Sequence, residues 1–96
     1  MSPKNKIKLN FLRKKLDHLD IKLLKIVKER TEIIKKVLSL KAYKKEIVDK
    51  KRISIILKKI KKESLKRNID PKITHRIWKN IIWSYINFEK KNFKKK

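Results

Sequence analysis

Five charged residues of this chain fall where an apolar helix face should continue, and their types suit the grip of a small anion. From Leu12 to Lys41 the sequence reads LRKKLDHLDIKLLKIVKERTEIIKKVLSLK. Steps of four and three residues, the spacing of neighbours on one helix face, pick out Leu12, Leu16, Leu19, Leu23, Val27, Arg30, Ile34, Val37 and Lys41. A Lys-rich helix has many solvated positions for its charges, yet Arg30 and Lys41 occupy the stripe itself. Asp49 and Arg52 open a second stripe that continues through Ile56 and Ile60, and Glu89 closes a third after Tyr85 and Phe88. Arg13 stands beside Leu12 at the start of the first.

Buried cations without partners cost too much to be casual. Periodicity leaves two readings of Arg30 and Lys41 open: their charged heads snorkel off the edge of the stripe, or they face an anion in a cleft of a helical core. Three or four cations against two acids suit a small, multiply anionic ligand that also carries a hydroxyl. Arg grips a carboxylate through two parallel hydrogen bonds, whereas Lys offers a compact charge that can follow a developing negative oxygen. No nucleophile with an adjacent base is evident, so such a site would work by holding shape and stabilising charge.

The elements that must position these residues are all helical. Residues 1–9 form a basic arm, and a helix start is expected between Lys6 and Asn10, with Asn10 a candidate N-cap and the helix running to about Tyr43. A turn over Lys44 to Val48 leads to a second helix from Asp49 to Lys66. Asn68 can take a left-handed terminal position, Asp70 is a good N-cap and Pro71 suits the first position of a third helix. The tail, residues 91–96, is mostly Lys and reads as solvated, leaving residues 10–90 as the folded domain. From Leu12 to Lys41 the first helix contains no Gly or Pro and would be roughly 45 Å long, against about 30 Å for a folded domain of this size. One end must overreach its own chain. A core from 96 residues is also marginal without oligomerisation. The expected fold is all-α, one long helix plus two shorter ones, intertwined as a homodimeric helical bundle.

Composition narrows the partners less sharply. With 32 Lys+Arg against 9 Asp+Glu the net charge is +23, a sign that fits nucleic acid, an anionic membrane or an anionic small molecule. The excess is mostly Lys, accompanied by abundant Ile and Asn, as an AT-biased coding sequence would write at permissive surface positions. That explanation ranks ahead of nucleic-acid binding. There is no Cys, and His18 and His75 lack metal-binding spacing, so no metal is expected. No apolar run approaches the ~18 residues of a bilayer span and no secretory signal opens the chain, so no membrane partner and a cytoplasmic location are expected.

Taken in order and spacing, LRKKLDHLDIKLLKIVKER, the step from Arg30 to Lys41, VDKKR and RIWKNIIWSYINFE resemble the all-helical (AroQ-class) chorismate mutases from Leu12 to about Glu89. The resemblance implies an isomerase converting chorismate to prephenate by a pericyclic rearrangement, in aromatic amino-acid biosynthesis, without a cofactor. It implies that Arg13 crosses a dimer to grip a substrate carboxylate and that Arg30 is the main carboxylate-binding arginine. Lys41 and Glu89 would act at the ether oxygen where negative charge grows. Asp49 and Arg52 would lie near the ring hydroxyl and a carboxylate. Two positions depart from the family: Ile53 stands where a hydroxyl-binding Glu is usual, and Tyr85 where Ser is usual. The rival readings are a basic helical dimer that binds nucleic acid, and a degenerate mutase retained as a regulatory partner of another enzyme.

Overall fold

The computed structural model describes residues 1–94, which form α1 (Pro3–Leu40), a short 3-10 turn (Lys44–Glu46), α2 (Lys50–Lys66) and α3 (Pro71–Asn92), with no strand among them. The all-α expectation holds. The expected Lys-rich tail is helical as far as Asn92, and its last positions, 95–96, lie outside the described residues.

The first helix begins earlier than its composition led one to expect. Pro3 occupies the first helical position, where its fixed φ and missing N–H do no harm. Ser2 caps it: its Oγ accepts the N–H of Asn5 at 3.1 Å, and its carbonyl accepts that of Lys6 at 2.9 Å. Residues 3–9 are therefore helix rather than a frayed arm, and Asn10 lies inside it. At the other end α1 stops at Leu40, short of Tyr43. There the Glu46 carboxylate accepts the N–H groups of Ala42 at 2.8 Å and Tyr43 at 3.3 Å, bonds that draw the chain out of the helix into the turn.

The chain forms two compact units, residues 1–33 and the remainder from Ile34 on. The first is the amino-terminal part of α1 alone. It buries no residue, and its apolar stripe is open to solvent, with Leu16 at 58 % and Leu23 at 56 % exposure.

The second unit holds the core. Ile47, Ile82 and Ile86 are buried, with Leu38, Val48, Ile53, Ile56, Leu57 and Phe93 packed against them. α2 and α3 pack on each other through a connection whose signals behave as their types dictate. Asn68 takes φ 55°, a left-handed position that Asn tolerates and that falls to it in a chain without Gly. The Asp70 carboxylate accepts the N–H of Lys72 at 2.9 Å, capping α3 ahead of Pro71. Behind the turn two hydroxyls are buried together. Ser64 donates to the Ile60 carbonyl at 2.6 Å, which leaves Thr74 to donate to Ser64 Oγ at 2.7 Å, so neither buried hydroxyl is left unsatisfied.

Candidate active site

Lys41 is the first residue beyond α1, and its N–H still reaches the Leu38 carbonyl at 3.1 Å. A cation here is favoured by the partial negative charge of the helix end. Glu89 is placed the opposite way. It lies in the last turn of α3, where the dipole disfavours an acid, and it is only 6 % exposed. What holds it is Lys41: Nζ donates to both carboxylate oxygens, at 3.0 and 3.2 Å. Leu38, before Lys41, and Phe93, one turn after Glu89, both pack on the isoleucine core, so the ion pair is anchored from both sides at the edge of apolar packing. A pair buried in this way gains little net stability, but removing one partner costs about 3–5 kcal/mol because it strands the other.

Tyr85 precedes Glu89 by one helical turn and therefore shares its face of α3. It is half-buried, with the edge of its ring against Phe88 at 6.5 Å between centroids. Asp49 caps α2, its Oδ1 accepting the N–H of Arg52 at 2.9 Å, which leaves Oδ2 for a ligand. The second helix accordingly starts at Lys50, with Asp49 as its cap rather than its first residue. Arg52 itself is exposed. Ile53 is half-buried and packs on Ile47, Ile82 and Ile86, so the residue that departs from the family pattern has an apolar task in this chain.

Arg13 and Arg30 belong to the amino-terminal unit, Arg13 exposed and Arg30 half-buried. Both lie on the unbroken helix α1, about 25 Å apart along its axis. One copy of the chain therefore cannot bring these two arginines to one small ligand, whereas it does bring Lys41 to Glu89. Nothing in their spacing foretold that the last two would bond directly. The available signal was their opposite charge on two apolar stripes, each needing a partner.

Chemically, the pair offers an Nζ–H donor beside a buried carboxyl group. A ligand oxygen that gains negative charge can compete for that donor, and Glu89 can assist only by donating a proton of its own.

The family model for chorismate mutase type II matches residues 12–90. Comparison with curated proteins and with solved structures finds no match. The matched span starts where the stripe of α1 starts, ends just past Glu89, and contains every candidate residue from Arg13 onward. Since it also covers well over half of the sequence, the chain belongs to the chorismate mutase type II family.

Proposed function

We infer that this chorismate mutase rearranges chorismate to prephenate in sites that two copies of the chain build together, as a cytoplasmic enzyme of aromatic amino-acid biosynthesis. The observation that carries the reading is the Lys41–Glu89 pair, which sets a donor and an acid side by side with little solvent. In the rearrangement the ether C–O bond breaks while a C–C bond forms, and the ether oxygen gains negative charge on the way. Lys41 Nζ is the donor that meets this charge, and Glu89, which holds that Nζ through both carboxylate oxygens, adds a second donor only when it carries a proton. Arg30 and the Arg13 of a second copy take the two carboxylates, Asp49 and Arg52 flank the ring hydroxyl and a carboxylate, and Tyr85 shapes the wall. No covalent intermediate and no cofactor are needed.

Two features support the second copy. A 38-residue helix is about 57 Å long and leaves its Leu12–Val27 stripe exposed, with each of those side chains able to contribute on the order of 1 kcal/mol if covered. The distance from Arg13 to Arg30 supports the same arrangement, since it demands that the two come from different copies.

Purified protein mixed with chorismate should consume it, followed as loss of ultraviolet absorbance. Absence of turnover at high enzyme concentration would sink the catalytic reading. For the shared site, inactive Arg13→Ala and inactive Arg30→Ala chains should be mixed under conditions that exchange subunits. Half of the dimers then carry both variants, each with one intact site, so about a quarter of wild-type activity should return. No recovery despite exchange would show that each chain works alone.

A further inference from the structure

Far from Lys41 and Glu89, α2 and α3 line an open cleft of about 610 Å³, within the range of small-molecule sites. Leu57 and Pro71, both half-buried, give it an apolar floor. Its other lining residues are bases, all exposed: Lys58 and Lys61 from α2, and Lys72, His75 and Arg76 from α3. Arg76 precedes Glu89 on α3 by about 20 Å of helix, so this is not an extension of the mutase site.

The bases are not neutralised from within the fold. α2 and α3 contain one acid each, Glu63 and Glu89. Glu89 is committed to Lys41. Glu63 is committed to Arg67 at 2.7 Å and Lys66 at 3.4 Å, and the hydrogen bond from Arg67, with Lys66 beside it, holds its carboxyl below the usual carboxylate range. Asp70, which precedes Pro71 in sequence, spends an oxygen on the cap of α3. None of the five bases has an acidic partner among the described residues. Like charges gathered round one opening repel each other, and a multivalent anion relieves that repulsion at every base it touches. Lys is a point-charge binder that suits phosphate oxygens, and Arg76 adds a planar fork.

We propose that this cleft is a second ligand site for a small organic polyphosphate. Its phosphates lie against Lys58, Lys61, Lys72 and Arg76, with His75 as a further polar contact, and its ring lies on Leu57 and Pro71. The competing explanation is a face of solvated lysines in a chain that is basic everywhere, and the experiment separates the two.

The full chain is titrated calorimetrically at about 150 mM salt with ATP and with inorganic tripolyphosphate, ionic strength being held because exposed charges are screened there. Wild type is compared with Lys58→Ala/Lys61→Ala/Arg76→Ala and with Lys4→Ala/Lys6→Ala/Lys8→Ala, which removes the same charge from α1. ATP should bind saturably, one per chain. Its affinity should fall at least about tenfold in the cleft variant and less than about twofold in the control. Tripolyphosphate should bind more weakly than ATP because it leaves the apolar floor empty. Lys58→Gln/Lys61→Gln, which keeps helix propensity, should still weaken ATP severalfold and serves if the triple variant folds poorly. Equal losses in the cleft and control variants, or no saturable binding, overturn the site. Equal affinity for ATP and tripolyphosphate overturns the role of the floor. Duplex DNA that binds more tightly than ATP, and through the same bases, overturns the small ligand in favour of nucleic acid.

Discussion

Between residues 1 and 33 no side chain is buried, whereas the stretch from Ile34 onward builds a core on Ile47, Ile82 and Ile86 and seals an ion pair beside it. Both regions are dense in Lys and both carry apolar stripes at helical spacing. They differ in what the stripe meets. In the second region the chain turns back after α2, so α2 and α3 find a partner in the same copy. The first region is one helix with no turn in it, and nothing local to it folds back. Periodicity therefore announces that a face is to be buried without saying by which chain.

The comparison breaks most decisively at the stripe. Leu16→Lys with Leu23→Lys would put two cations into the proposed interface, each costing several kcal/mol when left unpaired. Sedimentation should then show monomers, and kcat/KM should fall by more than about 100-fold, since no site keeps its second arginine. A double variant that stays dimeric and active would show that the exposed stripe is not what joins the copies.

A change in the second region should leave assembly intact and damage chemistry and stability instead. Lys41→Met keeps the apolar stem and removes the charge. It should lower kcat by about 10²- to 10³-fold and stability by about 3–5 kcal/mol, with sedimentation unchanged. Denaturant midpoints together with initial rates would measure both. Loss of the dimer in this variant would blur the division of labour between the regions.

The smallest effect belongs to Glu89→Gln, which keeps a donor and an acceptor at this position and removes only the charge. Measured as kcat/KM at one fixed pH, the variant should stay within about tenfold of wild type, whereas Glu89→Ala, which keeps neither a donor nor an acceptor, should fall by about 10²- to 10³-fold. Equal losses in the two variants would remove the hydrogen bonding of Glu89 from the mechanism and leave Lys41 alone at the ether oxygen.

How much of this was legible beforehand depends on the range of the interaction. Asn68, Asp70 and Pro71 behaved as their types dictate because caps and turns are settled within a few residues. The stop of α1 was misjudged for a related reason: Glu46 reaches back to Ala42 and Tyr43, a side-chain bond that propensity does not encode. The start of α1 was present in Ser2–Pro3, but its basic composition read as an arm. At the site, the stripe positions of Lys41 and Glu89 were visible, while their bond joins residues distant in sequence and follows from packing. Ile53 read as a missing hydrogen-bond acceptor. Its contact with the core cluster gives it a reason to be apolar that no pattern within α2 contains.

The turn between α2 and α3 also bears on the order in which the chain folds. Its closing bond joins Ser64 to Thr74, so the loop that must be shut is short and its entropy cost small. This hairpin can form at a rate independent of protein concentration. Residues 1–33 bury no side chain in their own copy, and in the proposed dimer they gain their packing only when two chains collide. Refolding followed by fluorescence of Trp78 and Trp83, both on α3, should therefore show an early phase indifferent to dilution, and recovery of activity should follow a later phase that slows on dilution. A single phase that scales with concentration throughout would mean that the hairpin, too, waits for its partner.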